Sequence, residues 1–267
     1  MRIFAVKDET DSSGKTLAWL IYYETAKRFY VELPDDADPW ETPLLLSSVL
    51  KRGEHTVNAY WSRLWVQQRI VPPDRQNLGQ ILRDNGMETY DEFTLLALAQ
   101  GRCAQDHYYL VPVTENELPE SVTARFLKKV EDVVPLAEHK LLVFFRDGLV
   151  RKCSVPSLTA FQPILKHDEL FRTVTVQAGG YGVCWGEQLE LSDSMLYENG
   201  QIVPLSLDDF CSFVSNRIVN TAEAAVLLNC SRQNIDDLVR RGRLHPVKTT
   251  PRNKLFLKSE LSQRQWY

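Results

Sequence analysis

Short apolar runs separated by polar breaks dominate the first third of the chain. RIFAV (2–6) and LAWLIYYE (17–24) flank the turn-prone stretch DETDSSGK, and RFYVEL (28–33) follows after the short TAK connection. Runs of this length, rich in branched and aromatic residues and bounded by turn formers, predict strands of a small antiparallel sheet. Three prolines in PDDADPWETP end that pattern, after which LLLSSVL, VNAYWSRLWVQQRI and RQNLGQILRDNG carry apolar residues at helical spacing. Asp91 is placed to cap a helix over DEFTLLALAQ, and Gly101 to stop it.

The acidic, Pro-containing stretch VPVTENELPE (111–120) marks a boundary, and SVTARFLKKVEDVV beyond it reads as an amphipathic helix. KLLVFF and LVRKCSV are strand-like runs across Arg146-Asp147-Gly148, a hairpin signal because glycine takes positive φ cheaply. TVTVQ and YGVCW form a second pair across Ala178-Gly179-Gly180, with SLTAFQPIL as the helix of the same unit. In this region Phe145, Asp147, Gly148, Val150, Arg151, Phe171, Trp185 and Leu196-Tyr197 form a pattern that resembles a small bacterial α+β domain of unknown function, over some 60 residues. Relatives of that domain occur in DNA-binding fusions and antitoxin-like proteins, an association that implies a fold and little about activity.

The most informative run is TAEAAVLLNCSRQNIDDLVRRGRLHPVKTTPRNKLFLKSEL, beginning at Thr221. Thr221 can cap a first helix with Ala224, Ala225 and Leu228 inward, and Glu223 lies in its favourable first turn. Asn229-Cys230 makes a tight turn, Ser231 caps a second helix, Ile235, Leu238 and Val239 supply its buried face, and Gly242 ends it. Arg232, Gln233 and Asn234 then occupy the first turn of the second helix, with Arg240, Arg241 and Arg243 at its end. Two short β-like runs around residues 249–253 follow, with Lys248, Arg252 and Lys254 at the tip of the hairpin they would form. The whole resembles the MerR and excisionase-type winged helix-turn-helix family, departing from its pattern in placing Glu223 one position nearer the Thr and Val239 where the pattern has Ile. The resemblance implies base-edge contacts from Arg232, Gln233 and Asn234, because Arg pairs bidentately with guanine and Gln or Asn with adenine. Lys248, Arg252 and Lys254 on the hairpin suit phosphates, with Thr221 and Ser231 at the helix starts, whereas Arg240 and Arg241 suit either phosphates or a solvated helix end favourable to the dipole.

Charge sharpens that expectation. The net charge of −4 conceals ten Lys or Arg against four acids from Arg217 onward, and 21 against 31 before it. A basic terminal module on an acidic body is the electrostatic footprint of a nucleic-acid binder carried by a sensing or partner-binding part. Length and composition (267 residues, 44% hydrophobic, 25% charged) suit two or three globular domains rather than a disordered or fibrous chain. MRIFAVKDETDSSGK lacks the apolar core of a signal peptide, and no stretch reaches the apolar length of a membrane span, so the expected location is cytoplasmic. Five scattered cysteines without CxxC spacing fit reduced thiols.

Other constellations imitate chemistry. Ser13-Gly14-Lys15-Thr16 resembles the end of a phosphate-binding loop but lacks the upstream glycine and lies between two strands, which favours a turn. Cys103 and His107 have no second ligand pair, and the other histidines are scattered, so no metal is assigned. Asp35, Asp36 and Asp38, and Asp208-Asp209, sit at turns and helix starts. One polar set stays open: Arg69, Pro72, Arg75, Asn77, Tyr90, Asp91, Gly101, Arg102 and Asp106 resemble a pattern in uncharacterised bacterial proteins, some near persistence-type toxin kinases. Of these, Arg69, Arg75, Asn77, Arg102 and Asp106 can form an internal salt-bridge scaffold, a partner-binding face or a ligand pocket.

The expected fold class is α+β: an N-terminal small sheet with helices (1–114), a linker helix (115–136), a small β-rich α+β domain (137–203) and a winged helix-turn-helix (204–267). The expected function is a non-enzymatic, sequence-specific regulator of double-stranded DNA without cofactor, with autoregulation as an antitoxin as one version. The alternative is a partner-binding antitoxin or phage inhibitor whose partner is a toxin or other protein. A homodimer stays open, since two recognition helices would meet two half-sites, yet no coiled-coil heptads are present.

Overall fold

The computed structural model describes residues 1–156, 158–187, 189–203 and 207–266. These form a mixed α+β structure with several small antiparallel sheets, in two units, Met1–Thr123 and Ala124–Tyr267.

The first unit is built on a five-stranded sheet. β1 (Arg2–Asp8), β2 (Ala18–Tyr23) and β3 (Arg28–Glu32) make the expected meander. The helices α1 (Leu44–Leu50), α2 (Ala59–Gln67), α3 (Leu78–Asp84) and α4 (Glu92–Leu98) follow, with the two-residue β4 (Thr56–Val57) between α1 and α2. β4 pairs with β3, and β5 (Tyr108–Val113) pairs with β1 at the opposite edge, giving the order β4-β3-β2-β1-β5. β5 was hidden in the sequence by Pro112 and the acidic stretch after it; Pro112 is tolerated because β5 is an edge strand. Every residue of β2 is buried, in keeping with its unbroken apolar run. Tyr22 stacks between Phe29 at 4.5 Å and Phe93 of α4 at 4.3 Å, so aromatic packing fixes the last helix on the sheet.

Asp91 caps α4 as expected, accepting from the Thr94 amide at 2.9 Å. Gln100 (φ 52) and Gly101 (φ 71) are both left-handed after α4, and Gly101 N donates to the Leu96 carbonyl at 2.9 Å, so the helix stops at the glycine as expected. The Ser13–Thr16 segment is a turn organised by Asp11, whose carboxylate accepts from Ser13 N at 2.8 Å and Lys15 N at 3.2 Å.

The expected linker helix at 115–136 is corrected. Only α5 (Glu120–Leu127) is α-helical there, and β6 (Val130–Pro135) belongs to the next sheet. The valines of VEDVVP are stiff at χ1 and prefer an extended chain, and a bulge between Val130 and Asp132 lets their irregular spacing keep Val130 and Val133 in the core.

In the second unit, β7 (Lys140–Phe145) and β8 (Val150–Ser154) form the expected hairpin, with the Leu149 amide donating to Asp147 Oδ1 at 2.9 Å. Two short helices, α6 (Gln162–Lys166) and α7 (Asp168–Phe171), replace the single one expected. β9 (Thr175–Val176), β10 (Gly182–Trp185) and β11 (Leu189–Ser192) form a second, three-stranded sheet, followed by α8 (Asp193–Asn199) and β12 (Gln201–Ile202), which joins β8. The pattern residues of this region converge. Phe145 meets Tyr197 edge-on at 4.9 Å, Tyr197 Oη donates to Asp147 at 2.7 Å, Arg151 lies 4.3 Å over the Tyr197 ring, and Trp185 Nε1 donates to the Phe171 carbonyl at 2.9 Å. They form a core and its hairpin clamp.

α9 (Leu207–Arg217) packs on the same sheet. Phe213 meets Phe144 at 5.1 Å, Asp209 pairs with Lys152 at 3.3 Å, and Arg217 Nε lies 3.0 Å from Asp132 Oδ1. The expected boundary at 203/204 falls at residues 204–206, outside the described residues.

Two local features yield checks. Gly180 has φ +81, and a methyl there would lie 2.3 Å from the Val130 carbonyl oxygen. Gly180→Ala should cost about 2 kcal/mol or more, read from the denaturant midpoint, because both the conformation and the space exclude a side chain. Asp132 is 5% exposed, and burial pushes its carboxyl up from 3.8 to about 6 against the pull of Arg217. Across that window the folded chain holds a proton that the unfolded chain releases, so this group's contribution to stability falls as pH rises. Stability measured against pH should therefore lose part of its downward slope in Asp132→Asn, and an unchanged slope would contradict the assignment.

Candidate nucleic-acid interface

β13 (Ile218–Asn220) leads from α9 into α10 (Thr221–Leu227), and α11 (Arg232–Arg240) follows after four residues. The cap of α10 is corrected from Thr221 to Asn220. Asn220 Oδ1 accepts from Ala222 N at 2.8 Å and Glu223 N at 3.1 Å, while Glu223 returns a carboxylate to Asn220 N at 2.7 Å. This is a complete capping box, so the Glu that looks one place too early for a Thr cap stands at the proper third position from Asn220. Thr221 is the first helical residue, partly buried, with its hydroxyl 3.4 Å from the Lys254 carbonyl.

Both helices end in the same way. Cys230 N donates to Ala225 O at 2.9 Å and Asn229 N to Val226 O at 3.1 Å, with Asn229 left-handed at φ 48. Arg243 N donates to Leu238 O at 2.8 Å and Gly242 N to Val239 O at 3.0 Å, with Gly242 at φ 65. These paired bonds satisfy the last carbonyls and turn the chain sharply. Ser231 caps α11 through the Asn234 amide at 3.2 Å. The small Ala224 and Ala225 let α11 approach closely, and Ile235, Leu244, Phe256 and Leu261 complete a core.

β14 (Lys248–Thr249) and β15 (Lys254–Leu257) form the expected hairpin, and β13 adds an unexpected third strand in the order β13-β15-β14. α12 (Lys258–Gln263) follows directly. Ile218, Val219 and Asn220 pair with Leu257, Phe256 and Leu255, a long-range register that three residues of sequence do not announce.

Nine of the ten Lys and Arg side chains of this region divide into two sets, and the tenth, Lys258, is partly buried at the start of α12. Asp237 pairs with Arg240 and, at 2.8 Å, with Arg241; Asp236 pairs with Lys254; Arg217 is held by Asp132. Arg264 donates to the Arg243 carbonyl, and His245 pairs with Glu260 at 3.0 Å. Arg240 also holds the Asp237 carboxyl below its ordinary range. Arg232, Arg243, Lys248 and Arg252 are exposed and, among the described residues, have no ion-pair partner. Gln233 and Asn234 are exposed beside Arg232 on the first turn of α11. The Lys254–Asp236 pair fastens the hairpin to that helix, so Lys254 is a strut rather than a free tip residue.

The open set of the first unit divides too. Arg69 is buried, donates to both oxygens of Asp106 at 2.9 and 2.5 Å and to the Gly101 carbonyl at 3.2 Å, and lies 4.1 Å over the Trp65 ring. Arg102 pairs with Glu9 and covers Tyr109 at 4.9 Å. Arg75 and Asn77 bond only to each other in this set, at 3.0 Å on an exposed turn. The Arg69–Asp106 pair, bidentate and buried on the Arg69 side, is an internal scaffold.

No helix among the described residues is long and apolar enough to cross a membrane. Among the same residues no group of three or more His, Cys, Asp or Glu side chains is placed to hold a metal ion. No protein-family model, no curated protein and no solved structure matches the chain.

The capping assignment can be checked directly. Asn220→Ala should destabilise the chain by about 1 kcal/mol in thermal unfolding, whereas Thr221→Ala should change it by only a few tenths, because the paired amides face Asn220. Equal losses would return the cap to Thr221.

Proposed function

We propose that the region from α9 to α12 is a winged helix-turn-helix that binds double-stranded DNA, with α11 as recognition helix and the β14–β15 hairpin as wing, and that the protein is a transcriptional regulator, autoregulation as an antitoxin being one form. The observation that carries this reading is the distribution of charge. The acids on α11 and α12 are all engaged internally, while Arg232, Gln233 and Asn234 on the first turn of α11 and Lys248 and Arg252 on the hairpin stay exposed. Arg and Asn side chains on a helix start suit base edges, and single cations on a hairpin suit phosphates.

Arg240 and Arg241 lean on Asp237, so a phosphate contact from either competes with an existing pair. The remaining charge still favours an anionic partner, and the small module presents a helix rather than a flat face to it.

Fluorescence anisotropy of the full chain on DNA from its own promoter, against a scrambled duplex and over a range of salt, tests the reading. Arg232→Ala or Asn234→Ala should flatten sequence preference at a cost of roughly 1 to 3 kcal/mol on the preferred site. Lys248→Ala or Arg252→Ala should weaken both duplexes alike and reduce the salt slope by about one for each phosphate left without its cation. Equal losses on both duplexes for all four variants would remove the assigned roles.

A second reading, a partner-binding antitoxin or phage inhibitor, is favoured by apolar side chains left open on the first unit. Trp40 is 89% exposed, Leu44 86% and Tyr60 62%. Large exposed apolar groups of this kind suit a protein partner. Absence of any salt-dependent DNA binding would shift the assignment to this reading.

A further inference from the structure

We propose that the cleft between β6, the Arg172–Val176 segment and helices α9 and α12 is a binding site for a small zwitterion, a molecule of free amino-acid size carrying both an ammonium and a carboxylate. The cleft has a volume of about 340 Å³, within the size range of small-molecule sites. It lies wholly within the second unit.

Three features define its chemistry. Asp132 lines the cleft with its side chain only 7% exposed. Its Oδ1 accepts from Val133 N at 2.8 Å and faces Arg217 Nε at 3.0 Å, while its buried Oδ2 has no hydrogen-bond partner. A buried carboxylate oxygen without a donor is costly, and a ligand ammonium is the donor that satisfies it and offsets its charge. Glu131 lines the same cleft and adds negative charge beside it.

Lys258 and Arg172 also line the cleft, and neither has an ion-pair partner among the described residues. Lys258 acts electrostatically on Asp132, while Arg172 is exposed at the cleft; together with Arg217 they give the lining three cations against the two acids, so a ligand carboxylate has a cation left to meet. Val174 and Trp266 supply buried apolar wall to the same cleft, which suits an aliphatic stem or side chain. A simple cation would leave Arg172 unmatched, and a simple anion would leave Asp132 Oδ2 unmatched.

The walls of the cleft belong to both the β6 sheet and the helices that flank the proposed DNA-binding surface. A ligand bridging them would favour one placement of α10 and α11 over others, and so couple its own binding to that of DNA. That consequence rests on the DNA-binding reading; occupancy of the cleft does not.

The test is calorimetric titration of the full chain with each proteinogenic amino acid, with acetate and methylammonium as single-charge controls, all without DNA. At least one amino acid should bind one to one while both controls fail. Lys258→Gln and Arg172→Gln, at partly and fully exposed positions that leave the core intact, should each weaken that binding about tenfold, the effect of removing one charge-assisted hydrogen bond. Asp132→Asn should abolish it, with Lys258→Gln covering the case in which that variant fails to fold. Failure of every amino acid to bind more tightly than acetate overturns the proposal, as does binding that survives Lys258→Gln and Arg172→Gln together. Anisotropy on promoter DNA, run separately, decides the DNA reading, so the two can fail independently.

Discussion

The second unit turns on one buried ion pair. Arg217 closes α9 and immediately precedes β13, and its guanidinium reaches Asp132 of β6 and the Val133 carbonyl. Neither charge has much access to water, so each needs the other, and removing one partner would strand the other in a low-dielectric setting. The pair ties the end of α9, where the small three-stranded sheet begins, to the middle core. Phe213 on Phe144 and Asp209 on Lys152 hold the same helix at two further points along its length. The same carboxylate leaves one oxygen for the adjoining cleft, so the anchor and the proposed ligand site share a residue.

A second buried pair works in the same unit without any tie to the basic surface. Lys129 is fully buried, lies 3.0 Å from Asp193 and sits 3.8 Å above the Tyr181 ring. Gly180 lets the chain pass close to Val130 beside it. With the Asp147, Arg151 and Tyr197 clamp, it shows that the polar residues of the middle pattern serve packing. A resemblance built on those residues therefore speaks to fold stability and not to catalysis.

The basic surface follows from how acids are spent inside the module. Asp236, Asp237 and Glu260 hold the hairpin, the end of α11 and the chain around His245, and Glu223 closes a cap. What stays exposed is a short cationic set at the start of α11 and on the hairpin. In the first unit the pairing of Arg69 with Asp106 plays the opposite part, taking Arg69 into the interior and holding Asp106, half-buried, against it.

Much of this was legible in the residues alone. The strand meander, the Asp91 cap, the Asp-Gly hairpin and the two helices around Ser231 are written in local spacing and turn chemistry, which act over a few residues and need no distant partner. The exposed positions of Arg232, Gln233 and Asn234 follow from the same periodicity. The Asn220 cap was legible too, in the Asn220–Glu223 spacing of a capping box, although Thr221 beside it is also a cap type. Tertiary structure alone decided that 130–135 is a strand and that β5 and β13 exist. It also decided which arginines are free and which are struts, and that Asp132 meets Arg217 from far along the chain. Short strands and buried charge pairs draw their stability from distant partners, and a local pattern carries no record of who those partners are.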